Sequence, residues 1–170
     1  MNAASEIQEF EIQLGMMMLV KRPSILSISG IGSCVALAMR DSETSASGLA
    51  HIVLPSSTNM PDAYRTPGKY SDTAVRTLIK GLLRMGAVLD HVTAKLVGGA
   101  RVLQSGGFDG SRNVECTRNE LASSGVSVAA QDVGQTYGRT IKFDTSTGKI
   151  LVRRFQQISG RAELKDVLII

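Results

Sequence analysis

Ser24-Ile25-Leu26-Ser27-Ile28-Ser29-Gly30-Ile31-Gly32-Ser33-Cys34-Val35-Ala36-Leu37-Ala38-Met39 makes up nearly all of Pro23 to Met39, the longest run in the chain without Asp, Glu, Lys, Arg or His. The run is shorter than the roughly 20 apolar residues that cross a bilayer as a helix. Two glycines and four serines also interrupt it. It reads instead as a pair of buried strands flanking a glycine-punctuated turn, and that turn delivers one of only two cysteines.

Working outward, Phe10 to Leu54 carries short apolar runs separated by Lys21-Arg22-Pro23 and by Asp41 to Ser47, with no sustained helical period. This predicts three or four strands, mostly antiparallel. Pro55 to Gly68 is rich in Ser, Pro, Asn and Asp and predicts a mobile loop near His51. Ala74, Val75, Leu78, Ile79, Leu82 and Met85 then fall at helical spacing, with Ser71 and Asp72 as capping candidates and Gly86 as the stop.

Val92 to Val97 predicts a strand ending at Gly98-Gly99. Arg112 to Ser124 predicts a second helix, capped by Ser111 and followed by Gly125, with Cys116 inside it as a small core residue. Val126 to Ala130, Arg139 to Phe143 and Lys149 to Phe155 predict further strands, the last two joined by a hairpin turn at Asp144 to Gly148. The apolar tail Val167-Leu168-Ile169-Ile170 suits either a strand or a partner. Strand runs with two inserted helices imply one layered α/β domain over residues 1–170, its sheets largely antiparallel or mixed.

Composition narrows the function. A net charge of +4, from 19 basic and 15 acidic residues, lacks the basic stripe that nucleic-acid binding needs, and few aromatics are available for base stacking. Two cysteines in 170 residues form no disulfide framework and fit a reducing cytoplasm. The N-terminus holds Glu6, Glu9 and Glu11 where a secretory signal carries basic residues, so neither export nor membrane insertion is expected.

Cysteine is among the most buried residue types, so Cys34 beside Val35-Ala36-Leu37 has a plain reading as core. Glycines at 30 and 32 count against it, because they let the backbone turn sharply and bring amides towards a ligand. A thiol needs a base to become a useful nucleophile at neutral pH, and His51 opens the next apolar run. His91 sits at a helix-to-strand connection and reads as a surface residue. Gly30-x-Gly32 lacks the rest of a dinucleotide fingerprint, and Cys34, His51 and Cys116 have no metal-ligand spacing.

Gly30-Ile31-Gly32-Ser33-Cys34-Val35 and Gly48-Leu49-Ala50-His51-Ile52-Val53-Leu54-Pro55 closely resemble the active-site segments of the CheD family of chemoreceptor glutamine deamidases. Lys69 to Val75, Ala94 to Ala100, Arg112-Asn113-Val114 and Gly138-Arg139-Thr140 extend the resemblance over residues 25–154, in family order. It implies an α/β/β sandwich that converts chemoreceptor glutamines to glutamate through a cysteine thioester, without metal or organic cofactor. Cys34 matches the nucleophile and His51 the base, with the Ser33 and Cys34 amides as the oxyanion site.

The family's third residue is a threonine, and here Ile28 occupies its position, flanked by Ser27 and Ser29. A slip or bulge before Gly30 would be needed to turn either serine hydroxyl towards His51. The implied partners are the cytoplasmic domain of a methyl-accepting chemoreceptor and a CheC-type phosphatase. The alternatives are a non-catalytic adaptor of the same fold and, less well supported, a thiol hydrolase of small esters or amides.

Overall fold

In the computed structural model, residues 7–101 and 110–170 are described; Glu6 lies outside them. The described strands are β1 (Gln8–Glu11), β2 (Met17–Val20), β3 (Ser24–Ile31), β4 (Val35–Asp41), β5 (Ser47–Ile52), β6 (Val92–Gly98), β7 (Ser127–Val133), β8 (Gly138–Asp144), β9 (Ile150–Ile158) and β10 (Arg161–Ile169). The helices are α1 (Ser71–Arg84) and α2 (Ser111–Ser123). One sheet runs β1-β3-β8-β9-β10 and the other β2-β5-β4-β6-β7. Both are mixed, because β1–β3 and β6–β7 pair in parallel while their other pairings are antiparallel.

The two strands of the opening stretch lie in different sheets, so the glycine turn is a crossing between layers. Along β4, Val35, Leu37 and Met39 pack with Leu78 and Leu82 of α1 and Val114 of α2. Ala36 and Ala38 face the other way, onto Leu26, Ile28, Ile141 and Phe143 of the second sheet. A strand covered on both faces cannot alternate polar with apolar residues, which accounts for the uncharged run. The layers are therefore helices, sheet, sheet. Each fully buried Leu or Ile contributes about 1.5–3 kcal/mol relative to exposure.

Residues 10–54 contain more strand than expected, since β1 and β2 are only four residues each and too short to show a period. Ser71 and Asp72 lie inside α1 and neither is its N-cap, which is Tyr70 and makes no side-chain capping bond, though Asp72 Oδ1 accepts from the first-turn amide of Thr73 at 3.0 Å. The Ser71 hydroxyl instead donates to the Asn113 carbonyl at 3.3 Å. Ser111 is likewise inside α2, after the N-cap Gly110.

Residues 55–68 are irregular but laced. Asp72 accepts from the Ser57 amide and hydroxyl, and Asp62 accepts from Lys69 and Tyr70. The apolar tail belongs to β10, antiparallel to β9. Among the described residues, no helix is long and apolar enough to cross a membrane.

Candidate active site

The register of β4 on β5 sets Ala36 opposite His51. Cys34 lies in the turn, one residue before β4 begins and two before Ala36, at the end of the strand whose face carries the imidazole. That face looks into the layer between the sheets, where Ala36 and Leu49 pack. His51 is 3% exposed, and Cys34 is half-buried. The turn reaches this position only because Gly98 adjoins it: a Cβ there would overlap the Cys34 carbonyl and the Ile31 side chain.

Burial pushes the Cys34 thiol above its ordinary pKa, with its own backbone amide opposing the shift. Burial pushes the imidazole of His51 below its ordinary value, opposed by the carbonyl of Ile12. Both groups therefore rest neutral at pH 7, as a thiol and a free base. The Ile12 carbonyl lies near the ring but outside hydrogen-bonding geometry, so among the described residues neither ring nitrogen of His51 makes a well-formed hydrogen bond. The resting thiol is not bonded to the imidazole, a looseness common before substrate arrives.

A bulge is present at Ser29–Gly30. Ile28 pairs with Ile141 and Ile31 with Arg139, so Ser29 and Gly30 together oppose Thr140. Gly30 adopts φ +69°, which favours glycine. The bulge nevertheless brings neither serine to His51. Its effect is to turn Ile31 inward beside Ile28, leaving Ser29 exposed, while the Ser27 hydroxyl donates to the Phe10 carbonyl at 3.4 Å. Ile28 itself is fully buried in the layer that His51 faces.

The CheD chemotactic sensory transduction family model matches residues 53–154. The chain is 40% identical over 159 residues to the chemoreceptor glutamine deamidase CheD of Thermotoga maritima, covering 92% of this chain and 98% of that one. The chain belongs to the CheD family. A probable chemoreceptor glutamine deamidase CheD of Pyrococcus abyssi is 37% identical over 152 residues, covering 86% of this chain and 92% of that one. The CheD family model begins after His51, but the Thermotoga match leaves too few residues outside it to omit Cys34 or His51. Among solved structures, the Bacillus licheniformis hypothetical protein YfiH overlays with a TM-score of 0.45 at 11% identity, over 71% of this chain and 49% of that one, too distant to bear on the site.

Two features, one beside the candidate site and one between the sheets, were not read from the sequence. Asn113 of α2 donates from Nδ2 to the Ser33 carbonyl at 3.0 Å and to the Val53 carbonyl at 2.9 Å. Its signal was a polar residue sharing the buried helix face of Val114, Thr117 and Leu121. The other is Asp132, whose carboxylate joins Arg139 at 2.8 Å and Arg154 at 2.7 Å, from two strands of the opposite sheet. Burial pushes its pKa up, but the two guanidiniums outweigh burial and hold it below the ordinary value. Cys116 is half-buried on α2, and His91 is exposed beyond α1.

Proposed function

We propose that this chain is a protein-glutamine deamidase of methyl-accepting chemoreceptors, with Cys34 as nucleophile and His51 as general base and acid. The observation that carries the reading is the strand register that sets the buried His51 opposite Ala36, two residues from the half-buried Cys34, with both ring nitrogens free of hydrogen bonds among the described residues. A neutral imidazole can accept the thiol proton, and a thiolate is the stronger nucleophile.

His51 takes the proton of Cys34, and the thiolate adds to the side-chain amide carbon of a bound glutamine. The amides of Ser33 and Cys34 receive the oxyanion. His51 then gives its proton to the amide nitrogen, the carbon–nitrogen bond breaks, and ammonia leaves a thioester. Water, losing a proton to His51, adds to that carbon. The Cys34 sulfur departs and regains the proton, leaving glutamate. The sum is glutamine plus water to glutamate plus ammonium, the released ammonia taking up the proton that the new carboxyl loses, which balances without a cofactor.

The substrate is the cytoplasmic domain of the receptor, so the protein works in the cytoplasm, and a CheC-type phosphatase is its second partner. Mass spectrometry of a chemoreceptor cytoplasmic fragment incubated with wild type and with Cys34→Ala tests the reading. Glutamine-to-glutamate conversion is expected with wild type alone; equal conversion with both refutes it. Ile28 favours a second reading, a non-catalytic adaptor, because an isoleucine cannot orient the imidazole by hydrogen bonding. Conversion lost with Cys34 eliminates the adaptor.

A further inference from the structure

Three consecutive carbonyls of the nucleophile turn are each held from outside. Gly32 accepts from the Ala100 amide at 2.8 Å, Ser33 from Asn113 Nδ2 at 3.0 Å, and Cys34 from the Gly99 amide at 2.7 Å. In a planar trans peptide the carbonyl and the next residue's N–H point in opposite directions. Holding the Gly32 carbonyl therefore aims the Ser33 N–H away from Ala100, and holding the Ser33 carbonyl aims the Cys34 N–H away from Asn113. Among the described residues, neither N–H donates to a backbone carbonyl.

Two of these anchors are backbone amides that any sequence with this backbone supplies. The third is a side chain. Asn113 is 6% exposed, and its own backbone carbonyl is held by the Ser71 and Thr117 hydroxyls at 3.3 and 2.7 Å. Its second Nδ2 bond, to Val53, reaches the chain just after His51, so one planar nitrogen spans both halves of the site. Few side chains do this. Serine has one donor, an ionised aspartate has none, and lysine adds a charge.

We propose that Asn113 is a positioning residue of the deamidation site. Its carboxamide sets the plane of the Ser33–Cys34 peptide, so that the Ser33 and Cys34 amides face the developing oxyanion, and it ties that plane to the strand that carries His51. The proposal rests on the Cys34–His51 reading above. Without the amide, two carbonyls lose their donor and the turn relaxes away from the geometry that oxyanion stabilisation requires.

The test uses Asn113→Leu, which keeps the branched shape but no donor, with Thr117→Val as a control that loosens the same helix turn without touching the carboxamide. Deamidation kinetics on a chemoreceptor cytoplasmic fragment, alkylation of Cys34 by iodoacetamide and melting temperature are measured for each. For Asn113→Leu, kcat is expected to fall about 30- to 100-fold with KM within about two-fold, somewhat less than the loss of about 100- to 1,000-fold from removing an oxyanion donor outright, because the amides remain but are misaimed. Alkylation should stay within about three-fold of wild type, because attack at a saturated carbon builds no oxyanion. Thr117→Val should keep kcat within about two-fold, as a change that leaves the oxyanion amides aimed.

Should Asn113→Leu not fold, Asn113→Asp replaces it. Its activity relative to wild type should rise as pH falls and the protonated carboxyl regains one donor; a flat ratio overturns the proposal. So does an unchanged kcat in Asn113→Leu, a proportional loss of alkylation, or an equal loss of kcat in Thr117→Val. Equal conversion by wild type and Cys34→Ala overturns the underlying reading as well, whereas loss in Cys34→Ala with none in Asn113→Leu overturns the Asn113 proposal alone.

Discussion

Asp132 and His51 are both buried polar residues, 6% and 3% exposed, and the fold treats them in opposite ways. Asp132 receives four hydrogen bonds from two guanidiniums, and Tyr137 stacks on both at 4.6 and 5.3 Å. Arg139 and Arg154 are direct cross-strand partners, so their like charges require the carboxylate between them. Asp132 thus pins the far edge of one sheet to the other. His51 has no partner for either nitrogen among the described residues. A buried polar group normally finds partners, and one left open retains free-energy cost that substrate or nucleophile can relieve. The saturated cluster is architecture, and the open one is a place for chemistry.

The largest expected effect falls on the open group's neighbour. Cys34→Ala and His51→Ala should each lower deamidation by at least about 1,000-fold, as loss of a nucleophile or its base does, with melting temperatures close to wild type. Mass-spectrometric product counts check this, and either variant retaining a tenth of the activity would remove the contrast. Asp132→Ala should reverse the pattern: a stability loss of about 3–5 kcal/mol from two stranded guanidiniums, read by urea unfolding, with activity per folded molecule largely kept.

The contrast can also be narrowed by giving His51 a partner. Ile28→Thr places a hydroxyl in the layer that the imidazole faces, and should raise kcat about 3- to 10-fold, well short of what an orienting residue is worth in an evolved triad. It should cost about 1–2 kcal/mol of stability through lost packing. Ser27→Ala should change kcat by less than about two-fold, because its hydroxyl serves the Phe10 carbonyl, a structural bond of modest net worth. An equal response to both substitutions would show that position 28 is not where orientation is missing.

The smallest effect is in pH. Burial lowers the pKa of His51, so the unfolded chain binds its proton more tightly than the folded one. The contribution is complete above the free imidazole value of about 6.5 and is lost as pH falls through it. Asp132 has a lowered pKa, so its contribution is lost only in the more acidic carboxylate range. Between about pH 6.5 and 5, the melting temperature of wild type should therefore fall more than that of His51→Leu. The acid limb of kcat/KM should have its midpoint below 6.5, the value of a free imidazole; a midpoint above it contradicts a buried neutral base.

Much of the fold was legible because burial imposes a pattern. The α1 stripe of Ala74, Val75, Leu78 and Leu82 marked the helix, and the uncharged stretch marked strands covered on both sides. The short β1 and β2, and β10 with its charged residues, carry too little pattern to be found that way. For the proposed site, Cys34 and His51 were the residues that the glycine turn and the flanking apolar runs singled out. Asn113 was visible only as part of a motif, because its two acceptors, Ser33 and Val53, are 80 and 60 residues away.

The residues from Ser24 to Met39 determined by themselves that two strands would be buried around a turn bearing a thiol, since local apolarity and glycine spacing act within a few residues of chain. Tertiary structure alone decided that those strands belong to different sheets, and that the Ser29–Gly30 bulge turns Ile31 inward and brings neither serine to the imidazole. It also decided that α2 clamps the turn through Asn113. Pairing register and long-range hydrogen bonds depend on which distant segments meet, and no local run of residues encodes that meeting.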